Sequence, residues 1–203
     1  MGVRNVKTIE IICSANHDRS PVGELFVKQH IELRGIQGYR VLSSGTFLHD
    51  FRTGNVPIKS AIFYMRLASD LGLLSAKERK DVEALDEASE SDLVKRAYLI
   101  ANDKLLSLAR YQKAIAMQEL GFHPGGLKPQ SDQTQLQENV AAIWCMTNKH
   151  VRAVQELYGQ GAPPIMLLDE RADIQDPYCL GVQVYKEVIG QIWSAVQNRM
   201  REF

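Results

Sequence analysis

The chain carries no net charge, little cysteine and no long apolar run, and each absence removes a class of protein. Lysine plus arginine and aspartate plus glutamate both total 24. No global field therefore draws the molecule to nucleic acid or to a charged membrane, and an anion site must be built from local geometry. Three cysteines in 203 residues, at 13, 145 and 179, are too few and too scattered for a disulfide framework. No stretch reaches the ~18 uninterrupted apolar residues of a membrane span. The opening segment to Thr8 is polar and lacks the apolar heart of a signal peptide. The expectation is a cytoplasmic protein, in a reducing setting that keeps a reactive thiol free. The five histidines, at 17, 30, 49, 123 and 150, show no metal-ligand spacing.

What is present is enough apolar material, 45% of the residues, for a core without staples. Val6 to Cys13 is short, β-branched and broken by Ser14-Ala15-Asn16, which predicts a buried strand. Ser20-Pro21 reads as an N-cap and a first-turn proline, opening a helix that Gly35 stops. Tyr39 to Ser44, Val140 to Met146 and Pro164 to Leu168 predict three further strands. Helical spacing marks Pro57 to Leu71, Ser91 to Leu120 (one helix or two), Asn148 to Tyr158 and Val182 to Phe203. Ser75-Ala76-Lys77-Glu78 fits a capping box. Phe122 to Asn139, polar and glutamine-rich, predicts a long loop. The acidic stretch Glu78 to Asp92 predicts a solvated helix face.

Strands alternating with helices predict an α/β fold: a four-stranded parallel sheet covered on both faces, α/β/α. Such sheets bind ligands at the carboxyl ends of their strands. Cys13, Ser44, Thr147 and the loop holding Asp176 all follow predicted strands, so they converge on one sheet edge.

The run Cys13-Ser14-Ala15-Asn16-His17-Asp18-Arg19-Ser20-Pro21 lies between a strand and a helix. Turn N–H groups and the positive helix end would point into one space, a phosphate cradle. The same field favours the thiolate, the nucleophilic form of cysteine. Arg19 adds a planar fork that matches two phosphate oxygens. Attack of the Cys13 thiolate on phosphorus would give a cysteinyl-phosphate, with Ser20 hydrogen-bonded to the sulfur. The leaving oxygen needs a proton, and Asp176 is the best-placed carboxylic acid. Pro177 biases it to an extended backbone, and its carboxylate would then activate water. Singly these pieces are weak. Cys-x5-Arg is a short spacing, a cysteine at a strand end is more often packing, and Asp-Pro-Tyr is more often an ordinary turn. Their weight comes from fitting one mechanism in one strand–loop–helix setting.

At this point the chain resembles the low-molecular-weight protein tyrosine phosphatases. Their loop reads Cys-x-Gly-Asn-x-Cys-Arg-Ser-Pro, and Cys13, Asn16, Arg19, Ser20 and Pro21 stand in matching places, followed by Glu24. Val41-Leu42-Ser43-Ser44-Gly45-Thr46 is similar to the family's Ser-Ala-Gly-Thr, and Asp176-Pro177-Tyr178 to its late general-acid motif. The likeness covers about residues 5–72 and 139–203. It implies Cys13 as nucleophile, Arg19 as phosphate clamp and Asp176 as general acid. It implies a phosphate loop of Ser14, Ala15, Asn16, His17, Asp18, Arg19 and Ser20, with Asn16, hydrogen-bonded toward Ser44, and Ser20 as supports. It implies no metal or organic cofactor, and a phosphorylated protein or small aryl phosphate as substrate. The expected organisation is one domain over 1–203, with a mostly helical insertion at about 75–138 that packs and forms a mobile rim at Phe122 to Asn139.

The sequence departs from that pattern at Ala15, where the family has glycine, and at Asp18, where many members have a second cysteine. An inward Asp18 would oppose the thiolate and repel phosphate, so it is expected to point outward, toward a lysine or arginine. Phe47, His49 and Phe51 are candidates for the wall of the substrate slot, with a hydrophobic loop anchor an equal reading. Two rival readings stay open: a phosphate- or phosphoprotein-binding module weakened by Asp18, and an arsenate reductase using Cys145 or Cys179. Those two thiols read more readily as buried packing.

Overall fold

The computed structural model describes residues 6–127 and 133–202. Four strands, β1 (Lys7–Cys13), β2 (Tyr39–Gly45), β3 (Val140–Cys145) and β4 (Ile165–Leu167), form one sheet in the order β2-β1-β3-β4. Every pairing is parallel. The order puts β1 centrally, and its burial reflects that: Ile9, Ile11 and Ile12 are fully buried. β-Branched side chains suit a strand packed on both faces.

The chain divides into two compact units, one of residues up to Leu48 together with those from Lys113 onward, the other His49–Gln112. In the first, α1 (Arg19–Arg34) and α7 (Val182–Arg199) pack on each other, and α1 packs on β1 and β2. Phe26 anchors this layer, its ring 4.7 Å from Phe122 and 4.9 Å from Trp193. On the opposite face α6 (Asn148–Tyr158) covers β3 and β4 through Val154 and Val151, over Ile12, Ile143 and Cys145. The three-layer α/β/α arrangement and the four parallel strands are as the sequence predicts. The last helix ends at Arg199 and continues as a 3-10 turn, Met200–Glu202; Phe203 lies outside the described residues.

The second unit is helical. It holds α3 (Ile58–Asp70), α4 (Ala76–Glu83) and most of α5 (Ser91–Glu119), a single helix of 29 residues, after the short α2 (Leu48–Thr53) that periodicity did not reveal. The Ser75 box forms as read: the Ser75 hydroxyl accepts from the Glu78 amide and Glu78 accepts from the Ser75 amide at 2.7 Å. An aromatic group of Phe51, Tyr64 and Tyr98 packs inside this unit. In the loop after α5, a 3-10 turn spans Pro124–Gly126 and Gln133 bridges to Gly45. The part of the expected mobile rim at 128–132 lies outside the described residues.

Candidate active site

β1 ends at Cys13 and α1 begins at Arg19, so the intervening loop sits on the carboxyl edge of the central strand. The helix starts two residues earlier than Ser20-Pro21 suggests. Asp18 is the N-cap and makes no side-chain cap bond; Pro21 falls in the first turn, where a missing N–H costs nothing. Ser20 is thereby released from capping. Its hydroxyl points back at the loop, 3.0 Å from the Cys13 sulfur, 2.9 Å from Asn16 Oδ1 and 3.3 Å from the Ser44 carbonyl.

Asn16 takes the loop's one left-handed turn among non-glycine residues, at φ 48°, a conformation asparagine tolerates better than most. Ala15 does not carry it, so the missing glycine at that place is harmless. Asn16 braces the loop, but its amide donates to the Ser43 carbonyl at 3.0 Å, not to Ser44. The Ser44 hydroxyl instead donates to Glu10 at 2.6 Å and lies 2.8 Å from the Thr134 hydroxyl, tying the β2 end to β1. Burial pushes the Glu10 carboxyl up, against the Ser44 bond and Arg40. Gly45 lies directly under the loop. A Cβ there would come 2.7 Å from the Asn16 amide nitrogen and 2.8 Å from the Ser14 carbonyl. The Phe47 amide donates to that same carbonyl at 2.8 Å.

Arg19 is buried and brings distant segments together. One guanidinium nitrogen donates to the Ile174 carbonyl at 2.9 Å; the other donates to Asp176 at 2.6 Å and reaches Ser14 Oγ at 3.4 Å. The Asp176 side chain retains 49% of its surface. Even so, the crowding of protein around it is the largest influence and pushes its carboxyl up; Arg19 pulls the other way.

His150, which sequence spacing did not single out, is 1% exposed and supports Ser14. Its Nε2 is 2.9 Å from Ser14 Oγ and its Nδ1 2.9 Å from Thr147 Oγ1. Burial, helped by the charges of Arg19 and Lys149, pushes its imidazole down to about 3. The ring is therefore neutral at ordinary pH. A neutral imidazole has one N–H and one bare nitrogen, so it donates to one of Ser14 and Thr147 and accepts from the other.

Asp18 corrects an expectation. It does not face solvent: it is 6% exposed. Its carboxylate accepts from His17 Nδ1 at 3.0 Å and is paired with Lys113 Nζ at 3.4 Å. Burial is the largest influence and raises it. The His17 bond, the Lys113 charge and a weak contribution from the Tyr185 hydroxyl, outside ordinary hydrogen-bond geometry, outweigh that and hold it down at about 2. Lys113, itself buried, also donates to the His17 carbonyl. The partner is a lysine, as expected, but it reaches in from α5. An uncompensated buried charge is untenable, and this one is paired.

Cys145 and Cys179 are both buried and neither is in a disulfide, and burial pushes each thiol up to about 12. Phe47 is half-buried with Lys149 Nζ 4.6 Å over its ring; His49 and Phe51 fall in α2 of the helical unit. His17 and Tyr178 form an edge-to-face pair, 6.4 Å between centroids. Among the described residues no group of three His, Cys, Asp or Glu is arranged to hold a metal ion, and no helix is long and apolar enough to cross a membrane.

No protein-family model matches the sequence, and no curated relative does. Solved structures do. A YwlE mutant from Bacillus subtilis is 16% identical, over 97% of each chain, with a TM-score of 0.57. The Erwinia amylovora tyrosine phosphatase AmsI is 18% identical over 98% of this chain and 93% of its own, at 0.57. The low-molecular-weight protein tyrosine phosphatase of T. tengcongensis is 16% identical, over 97% and 99%, at 0.56. The fold is that of the low-molecular-weight protein tyrosine phosphatases. At these identities the likeness is one of architecture. On the low-molecular-weight phosphatase fold the carboxyl edge of β1 is where this chain gathers Cys13, Arg19, Ser20 and Asp176.

Proposed function

We propose that this protein is a cysteine-dependent phosphomonoesterase, acting on phosphotyrosine or another aryl phosphate through a cysteinyl-phosphate. The observation that carries the reading is the meeting of Arg19 and Asp176, 157 residues apart in sequence and 2.6 Å apart in space, in a loop whose Cys13 sulfur accepts a bond from Ser20. The Cys13 thiolate attacks phosphorus while Arg19 and the loop amides at Ser14, Ala15, Asn16, His17 and Asp18 hold the equatorial oxygens. The ester P–O bond breaks, and Asp176 in its acid form gives the leaving oxygen its proton. The Asp176 carboxylate then takes a proton from the water that attacks the cysteinyl-phosphate. Phosphate leaves and the thiolate returns.

The upward direction of Asp176 suits the first of these steps. Substrate strengthens it: a phosphate that occupies the Arg19 fork takes away the cation and brings a like charge, and both favour the acid. The His17–Tyr178 ring pair supports an aryl leaving group. The structural neighbours include a tyrosine phosphatase, AmsI, and an arginine phosphatase, YwlE, so phosphoarginine is the substrate to test beside phosphotyrosine. The same reading treats residues 1–203 as one catalytic domain with a mostly helical insertion at about 75–138, at work on a phosphorylated protein or small aryl phosphate in the reducing cytoplasm.

The deciding experiment measures 4-nitrophenyl phosphate hydrolysis. Wild type turns over, Cys13→Ser does not, and Asp176→Asn lowers kcat by about 100-fold, the scale of general acid catalysis. Phosphate binding without wild-type turnover would instead make the chain a phosphate-binding module. Thiol-dependent arsenate reduction requiring Cys145 or Cys179 would make it a reductase, a reading their burial and raised thiols oppose.

A further inference from the structure

We propose that Lys113 is a positioning residue of the anion loop: by neutralising the buried Asp18 and holding the His17 carbonyl, it lets a loop with a carboxylate in it accept a phosphate dianion. The inference rests on the phosphatase reading for the identity of the ligand.

The problem it answers is electrostatic. Asp18 lies in the loop, next to Arg19, and is almost fully buried. A lone carboxylate there would sit in low dielectric beside an incoming dianion and repel it strongly. The groups that face it come from two loops and two helices. His17 and Asp176 lie in loops, Lys113 on α5, and Tyr185 on α7, with Cys179 just before that helix. Among the groups acting on Asp18, the full cation is Lys113, 3.4 Å away.

The geometry gives Lys113 two attachments to adjacent residues, the Asp18 carboxylate and the His17 carbonyl. A side chain that grips both the charge and the backbone of consecutive loop residues fixes their orientation as well as their field. Lys113 is 7% exposed, so the ammonium has left water for these partners. It is thus a component of the loop supplied from α5, and it acts on the anion through Asp18 and His17.

The test reads inorganic phosphate binding by calorimetry and 4-nitrophenyl phosphate hydrolysis in parallel. Lys113→Met should weaken phosphate binding and kcat/KM by at least about 10-fold, chiefly through KM, as loss of a charge–charge interaction at short range implies. Lys113→Gln, which keeps a donor for the His17 carbonyl, should lose nearly as much. Lys113→Arg should retain most of the binding. The double variant Asp18→Asn/Lys113→Met should recover to within about 3-fold of wild type, because the pair has been removed whole. The deficit of Lys113→Met relative to wild type should also shrink as pH falls, since protonation of Asp18 discharges the loop; a packing defect has no such dependence. A double variant no better than Lys113→Met, or a deficit independent of pH, overturns the proposal. Should Lys113→Met not fold, Lys113→Gln with and without Asp18→Asn gives the same comparison. Wild type that binds phosphate without turnover fails the catalytic reading and leaves the Lys113 result to be judged on binding. Wild type that binds no phosphate overturns both.

Discussion

At the scale of the residue, Ser20 concentrates the chemistry. A hydroxyl has one proton to give, and three acceptors lie within 3.0, 2.9 and 3.3 Å of it: the Cys13 sulfur, Asn16 Oδ1 and the Ser44 carbonyl. Charge settles the competition. Bonds to an ionised acceptor are about twice as strong as neutral ones, so a thiolate captures the proton and a thiol yields it to Asn16. On the phosphatase reading the bond therefore tracks the reaction, strong while sulfur carries charge as nucleophile and as leaving group, weak in the phosphorylated intermediate. Ser20→Ala should lower kcat by about 10-fold, the scale of a hydrogen bond to a charged group, with KM changed less than 3-fold by the same reasoning, since phosphate contacts stay. Steady-state kinetics on an aryl phosphate checks it; a KM effect larger than the kcat effect would mean that Ser20 shapes the cradle more than it serves the sulfur. The sequence made Ser20, Cys13, Arg19 and Asp176 visible because their spacing and neighbours are informative. It left His150 and Lys113 dark. A histidine at the start of a helix and a lysine on a long helix are ordinary in sequence, and only the tertiary fold brings them to Ser14 and Asp18.

At the scale of the element, the strand–loop–helix unit is held by the next strand. The loop lies on Gly45, the last residue of β2, and β1–β2 register sets Cys13 opposite it. The missing side chain is the point: backbone atoms of Ser14, Ala15 and Asn16 occupy the place a Cβ would take, all within 3 Å of it. Backbone cannot swing away as a side-chain tip can. Gly45→Ala should therefore displace the loop, destabilise the protein by roughly 1–3 kcal/mol as overpacking does and lower phosphate affinity. Denaturant unfolding and phosphate calorimetry would check this; a variant of wild-type affinity would show the loop to be compliant. Element boundaries were legible where a local signal exists. The Ser75 capping box and the Gly35 and Gly159 helix stops all stand where read. The start of α1 was not, because Ser20 is a strong N-cap type that the tertiary structure spends on Cys13. α2, six residues long, is too short for periodicity to report.

At the scale of the whole molecule, zero net charge hides opposed titrations that set how stability responds to acid. Asp176 and Glu10 are pushed up by burial, so their charged forms cost stability, and that cost is relieved as pH falls. Asp18 is held at about 2 against an ordinary 3.8, so its contribution is present above that value and lost as pH falls toward 2. His150 acts earliest. It is held at about 3 against an ordinary 6.5, so below pH 6.5 the unfolded chain takes up a proton that the folded chain refuses. The sign follows: stability is whole above 6.5 and falls steadily down to about 3. For one such group the loss between pH 6.5 and 4 is about 3 kcal/mol, at a limiting slope near 1.4 kcal/mol per pH unit. Carboxylates pushed up by burial act in the opposite sense, since their protonation as pH falls relieves a cost. His150→Gln removes the titration while keeping a donor and an acceptor for Thr147 and Ser14. Urea unfolding across this range should show wild type weakening well above the carboxylate region and the variant losing less than half as much. Equal slopes would mean that His150 is protonated in the folded state, and with it that Ser14 is not held by a neutral ring.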